Sequence, residues 1–464
     1  MSGEVSIFSL FSPTDYRYSV KALESYLTEE AFIKYQARVE AALAKTLAKH
    51  GFCSQKIAKE IVKAASQVTA KEVYREESRI KHDIRALVNV IRNKVSEEAK
   101  PFVHLTATSN DVKDTANALR YRDATENVIL PDMVALEKTL MNLARKEKDT
   151  IQVGRTHGQH AEPITFGFAI AQYVNRWGNR TLKLKEASDN LTGKFAGAVG
   201  AYNASGLLFD DPEGFEKELL GFLGLKPAEI STQIVPPEPV TDYVHSVVSA
   251  FGVLANFARD MRNLQRSEIG EVGEPFEEKQ VGSSTMPQKR NPINFENVES
   301  MWKKVVPQMV TMYMDQVSEH QRDLTNSCSQ RYTPELLVAF DSAVRRMTRA
   351  SMRLQVDRDN LRKNFELNKD KIVAEPLYVL LAFHGHPDAH EQVRKLTMKS
   401  YQTGKPLTEV IQTERELQPY LKKFTRPQLE ILSNPSKYIG IAAEKTEKIV
   451  ALWERKLKKA GLWE

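Results

Sequence analysis

The stretch Gly282-Ser283-Ser284-Thr285-Met286-Pro287-Gln288-Lys289-Arg290-Asn291-Pro292 packs hydroxyls, an ammonium group, a guanidinium and a carboxamide between a glycine and a proline. Together with the free N–H groups of an irregular backbone, these donors can converge on one anionic ligand and supply a base or nucleophile beside it. A second polar turn, Gly154-Arg155-Thr156-His157-Gly158-Gln159-His160-Ala161-Glu162-Pro163, places His157 between glycines. A histidine on permissive backbone next to a hydroxyl suits proton transfer near neutral pH. The single H-x-x-H of His157 and His160, without a cysteine or a third ligand, does not make a zinc site, and no metal is expected. A third stretch, 104–111, runs Thr, Ser and Asn into a helical pattern. Ser109, Asn110 or Asp111 can cap that helix, and the free N–H groups at its start can meet an anion. Smaller polar interruptions lie at His82-Asp83, at Thr232-Gln233 and across 322–331.

The elements that must position these turns read as helices. Apolar residues recur at three- and four-residue steps over 14–48, with His50-Gly51 as the stop, and again over 112–148, 166–191, 295–319 and 336–361. Pro131 should begin a new segment or kink its own, and Pro307 should bend the 295–319 helix. The clearest stripe is Val240, Val244, Val247, Phe251, Leu254, Ala258, Met261 and Leu264, the pattern of a helix in a bundle. The Gly-, Ala- and Ser-rich run 193–206 permits either close backbone packing or a mobile crossing. No strand alternation of useful length is visible. The expectation is an all-α fold in three helical domains: 1–111, a central long-helix bundle over 112–363 that carries the 282–292 loop, and a small C-terminal domain over 364–464.

Composition narrows the class. The 464 residues carry 66 basic and 60 acidic side chains, a formal charge of +6, with no basic block and no aromatic–basic interleave. Nucleic acid is therefore not the expected partner, and an anionic small molecule is not repelled. Cys53 and Cys328 are far apart and match no zinc or disulfide framework, which indicates a reducing compartment, read as cytoplasm. The first residues lack the features of a signal peptide, and no apolar run reaches the roughly 18 residues of a membrane span.

With these stretches in this order, the sequence resembles the fumarase/aspartase superfamily and, within it, the adenylosuccinate lyase family. The superfamily pattern G-S-S-x-M-P-x-K-x-N-P is matched in full at 282–292. The resemblance implies a homotetramer with active sites shared between subunits, no cofactor, an anionic nucleotide substrate, and elimination of fumarate from a succinyl-amine. It assigns Ser283 as general base, His157 as general acid, Glu296 as the carboxylate that orients His157, and His82 as a further catalytic candidate. Lys289 and Asn291 match the clamp on the substrate carboxylate, with Ser284 and Met286 beside them. Thr108, Ser109, Thr156 and Gln233 match succinyl contacts. Asp83 and His104 also match substrate-binding positions, and Arg17, Tyr18, Arg322, Ser327 and Arg331 match those for phosphate and ribose. Gln288 before the lysine and Lys81 before the histidine–aspartate pair depart from the family's commoner residues. Argininosuccinate lyase and carboxymuconate cycloisomerase of the same superfamily are the alternatives.

Overall fold

The computed structural model describes residues 10–277, 279 and 281–463. Its architecture is all-α: three two-stranded pairings are the only sheet among the described residues, and helices carry the rest of the regular structure. The Cα packing divides the chain into two compact units. One comprises the chain up to Val134 with Asn179–Leu254 and Val298–Arg346; the other comprises Ala135–Gly178, Ala255–Asn297 and everything from Met347.

In the first unit the expected 14–48 helix begins late. Thr28 is extended; its hydroxyl donates to the Glu24 carbonyl at 2.7 Å and accepts from the Ala31 N–H at 3.2 Å, so it closes one short helix and caps the next. The helix Glu29–Lys49 then runs to His50, and Gly51 takes the left-handed conformation that ends it. The helix Ala70–Ile80 stops at Lys81, which is itself left-handed, and Asp83–Arg92 starts from His82 as its cap. Ser109–Ala124 and Leu130–Lys146 are joined by a π turn, Thr125–Ile129. Pro131 lacks the N–H that would continue an α ladder into that turn, which is the physical reason for the irregularity.

The helix Glu238–Leu264 buries the middle of the predicted stripe: Val244, Val247, Phe251, Leu254, Ala258 and Met261 are each at most 2% exposed within one chain, while Val240 and Leu264 at its ends are half-buried. The stripe therefore has its partners already and does not itself call for another subunit. Pro307 does more than bend its segment. The predicted 295–319 helix is two helices, Ile293–Val305 and Gln308–Met314. The run 193–206 is closely packed. A Cβ on Gly193 would press on Leu220 and Thr115, and one on Gly200, at φ +79°, would collide with the Ser231 carbonyl.

In the second unit the polar turn at 154–163 is a β-hairpin, Ile151–Thr156 against Gln159–Thr165, where a loop is predicted. Its strands carry few of the apolar residues that make alternation legible. The C-terminal helices from Val373 to Leu432 share one core built on Leu377, Leu381, Leu396, Leu407 and Leu417. Among the described residues no helix is long and apolar enough to cross a membrane.

Candidate active site

In the first unit, two of the predicted polar stretches meet. Asp83 accepts from Lys113 at 3.1 Å and from the Ile84 N–H at 2.8 Å. Burial opposes its charge, but Lys113 and that N–H prevail and hold the carboxyl below its usual range. His82 accepts the Arg85 N–H on Nδ1 at 3.2 Å, which leaves Nε2 to carry the ring proton. His104 pairs through Nδ1 with Glu40 at 2.6 Å. Thr108, not one of the three residues after it, is the cap of the Ser109–Ala124 helix, and its own N–H donates to Asp111 at 2.9 Å. Asp111 is fully buried against Lys194, also fully buried, and accepts from the N–H groups of Ala196 and Gly197. Thr108 is thus tied through its N–H to a buried ion pair.

The Gln233 N–H donates to the Gln321 carbonyl at 3.1 Å, which brings the 232–233 connection to the 322–331 junction. Arg322 has φ +143°, a region that side chains rarely occupy, and its Nη1 and Nη2 are buried without a hydrogen-bond partner among the described residues. A guanidinium with unused buried donors is a costly arrangement unless a ligand completes it. Arg331 donates to the Ser327 carbonyl. Arg17 lies exposed after the Pro13–Asp15 turn, and the Tyr18 N–H donates back to Pro13.

In the second unit, His157 and Gly158 form the hairpin turn, both with positive φ, between the paired Thr156 and Gln159. Two consecutive left-handed residues in a two-residue loop make a type I′ turn, which follows the twist of its strands and projects its tip outward. Two residues before the tip, Arg155 makes a bidentate pair with Glu271, which also accepts from Gln152 at 2.8 Å and Asn364 at 2.9 Å. His160 is bound through Nδ1 to Asn368 at 2.9 Å; burial and then Arg155 push its pKa down.

The 282–292 loop is mostly exposed. Ser283 Oγ accepts the N–H groups of Met286 at 3.1 Å and Thr285 at 3.3 Å. Asn291 donates to the Gly282 carbonyl at 3.0 Å, and a Cβ on Gly282 would collide with the Lys289 carbonyl, so the two ends of the loop close on each other at a glycine. Ser284, Met286 and Lys289 are exposed around it. Glu274 anchors the exit by accepting from the Asn294 and Phe295 N–H groups, and Gln265 ties Glu274 to the Arg290 carbonyl. Glu296 lies exposed on the first turn of the helix that follows. Within one chain no hydrogen bond joins His157 to Glu296 or to Ser283. Among the described residues no group of three or more His, Cys, Asp or Glu is arranged to hold a metal.

Comparison with known proteins gives this pattern its context. Residues 13–306 match the family described as Lyase, and residues 318–439 match the one described as Adenylosuccinate lyase C-terminal. Over 456 residues the chain is 38% identical to an adenylosuccinate lyase of Pyrococcus abyssi, covering 97% of this chain and 99% of that one. The chain belongs to the adenylosuccinate lyase family. It is accordingly an enzyme of the carbon–nitrogen lyase class. It is also 36% identical over 445 residues to an adenylosuccinate lyase of Archaeoglobus fulgidus, with 94% and 97% covered. Among solved structures, a 3-carboxy-cis,cis-muconate lactonizing enzyme from Pseudomonas putida superposes with a TM-score of 0.83 at 26% identity, with 95% and 99% covered.

Three carboxylates that position the family's turns escaped the sequence reading: Glu40, Glu271 and, as a buried anchor rather than a cap, Asp111. For Glu40 a signal exists. It falls at a core position of its helix, in step with Gln36, Leu43 and Leu47, and a charge inside an apolar stripe marks a buried partner. Glu271 lies in the acidic turn before the loop, where nothing local distinguishes it from its neighbours.

Proposed function

We propose that this chain is an adenylosuccinate lyase of purine nucleotide biosynthesis, eliminating fumarate from adenylosuccinate to give AMP and from succinylaminoimidazole carboxamide ribotide to give aminoimidazole carboxamide ribotide. The observation that carries the reading is the Ser283 hydroxyl, seated on two backbone N–H groups inside a loop that matches the family pattern in full. A serine becomes a base only as its alkoxide, and donors aimed at its oxygen favour that form. Ser283 takes the proton from the carbon next to the substrate carboxylate, and charge builds on that carboxylate, where Lys289 and Asn291 hold it. The electron pair left on carbon forms the double bond of fumarate as the C–N bond breaks. His157 gives the leaving nitrogen its proton, with Glu296 orienting the ring.

His82, Asp83, His104, Thr108, Ser109, Thr156 and Gln233 contact the succinyl part and the base, with Ser284 and Met286 closing over it. Arg17, Tyr18, Arg322, Ser327 and Arg331 hold phosphate and ribose, and the unused Arg322 donors support that role. The assembly is a homotetramer with sites shared between chains. Exposed apolar side chains of Val310, Met314, Val317 and Leu324 support association, and so does the lack of a His157–Glu296 bond within one chain. Both cysteines are free, which suits the cytoplasm.

The test is fumarate release from purified protein given each purine substrate and argininosuccinate in turn, with loss of the conjugated-diene absorbance followed for 3-carboxymuconate, whose ring closure releases no fumarate. Fumarate from the two purine substrates alone is expected, and silence with both overturns the assignment. Ser283→Ala should still bind adenylosuccinate while turnover falls by about a thousandfold or more; near-normal turnover removes Ser283 from the base role.

A further inference from the structure

The Glu29–Lys49 helix buries one carboxylate in its apolar face, and that carboxylate touches a residue of the site. Glu40 has a side chain 1% exposed, with Oε1 on His104 Nδ1 at 2.6 Å and Oε2 without a hydrogen-bond partner among the described residues. His104 is itself held in the left-handed region at φ +65°, so the backbone does not choose its ring position freely. Its ring is 18% exposed, and Nε2 has no hydrogen-bond partner among the described residues. A carboxylate on Nδ1 fixes the ring and leaves Nε2 as the atom offered to a ligand, the arrangement by which a second carboxylate orients many functional histidines.

We infer that Glu40 is a positioning residue that holds His104 as an imidazolium, so that its Nε2–H meets an anionic oxygen of the substrate. The inference rests on the reading of His104 as a substrate contact. Three charged groups face the ring: Glu40 from its helix, Asp111 from the Ser109–Ala124 helix and Arg85 from Asp83–Arg92. Burial alone would discharge the ring, and Arg85 works in the same direction. Glu40, with a smaller contribution from Asp111, outweighs them and raises the pKa. A neutral His104 with its proton on Nδ1 would present a lone pair from Nε2 to the substrate and repel an anion. The charge state set by Glu40 therefore decides whether this position attracts or opposes the ligand.

The experiment compares wild type, Glu40→Gln, Glu40→Asp, His104→Gln and the double variant Glu40→Gln/His104→Gln as full-length enzymes. Histidine labelled with 13C at Cε1 reports the His104 titration without substrate, the signal assigned by its loss in His104→Gln. Steady-state KM and kcat for adenylosuccinate are taken from about pH 6 to 9. In Glu40→Gln, His104 should titrate at lower pH than in wild type. KM at about pH 8 should rise about tenfold with kcat changed far less, and the gap should narrow toward pH 6 as the ring regains its proton. Glu40→Asp should recover part of the loss, and the double variant should be no worse than His104→Gln. An unchanged His104 titration in Glu40→Gln, or a KM increase of equal size at every pH, overturns the inference. Should Glu40→Gln fail to fold, the Asp variant decides: it must shift the titration in the same direction by less. If the wild type releases no fumarate from adenylosuccinate, the functional assignment fails, while the titration still judges the coupling of Glu40 to His104.

Discussion

Glu137 lies on the Leu130–Lys146 helix with 0% exposure, and neither carboxylate oxygen has a hydrogen-bond partner among the described residues. One of the oxygens is close to Gly178, against which Trp453 also packs, so a side chain at position 178 would strike both. Burial drives the Glu137 pKa well above the ordinary glutamate value. The folded protein therefore keeps a proton that the unfolded chain releases, and stability falls as pH rises from the unfolded value toward the raised one. The slope is about 1.4 kcal/mol per pH unit throughout that window. Between about pH 5.5 and 8 the loss reaches roughly 3 kcal/mol if the group stays protonated to the end of that range.

Glu137→Met keeps a long, unbranched side chain in the same space and removes both the proton linkage and the unpaired oxygens. Urea unfolding of wild type and variant, at one protein concentration and at the two pH values, gives the difference directly. The variant should be the more stable protein, and its advantage should grow with pH, by no more than that amount. A constant difference across pH refutes the linkage. A variant destabilised at the higher pH shows instead that the carboxylate is charged and satisfied in solution.

Other perturbations test separate parts of the argument. Lys194→Met strands the Asp111 carboxylate in a fully buried position and should cost about 3–5 kcal/mol in unfolding experiments, with Asp111→Asn added to it recovering part of the loss; an unchanged melting curve contradicts the pairing. If sites are shared, mixing inactive Ser283→Ala with inactive His157→Ala under conditions of subunit exchange should restore measurable fumarate release. No rescue after exchange has been demonstrated by mass would confine both residues to one chain.

Much of the helical order is legible because an apolar stripe repeats with the helix and needs no distant information: Val244 to Met261 is read at its proper period and is buried as read. The hairpin at 151–165 is not legible, since its strands hold Gln152, Arg155, Gln159, His160 and Glu162 where alternating apolar residues would announce a sheet. What keeps Arg155 in place is Glu271, more than a hundred residues away, and no local pattern can convey that. The start at Thr28 and the cap at Thr108 were missed for other reasons. At 108–111 Thr, Ser, Asn and Asp can each cap, whereas at Thr28 the apolar steps from Leu23 and Leu27 to Phe32 run on across the break and hide it.

That division follows a physical rule visible in the strained backbone. Lys81, His104, Thr106 and His157 are non-glycine residues with positive φ, and each lies in or beside a polar turn that the sequence singles out. Such conformations cost about 1–3 kcal/mol each and persist only where surrounding contacts over-determine them. Each of these turns has a carboxylate anchor close by in the chain or in contact: Asp83 with Lys113 beside Lys81, Glu40 on His104, Asp111 with Lys194 on the N–H of Thr108 two residues after Thr106, and Glu271 on Arg155 before His157. Charge-assisted hydrogen bonds away from water are strong enough to offset strain of this size, whereas neutral ones contribute about 1 kcal/mol. The turns advertise themselves by small polar residues and histidines; their anchors are acidic residues, two of the four, Glu40 and Glu271, on elements remote in sequence. Loss of an anchor should therefore relax its turn and misplace the functional side chain without unfolding the helices, which separates these carboxylates from Glu137, whose removal should leave every turn where it is.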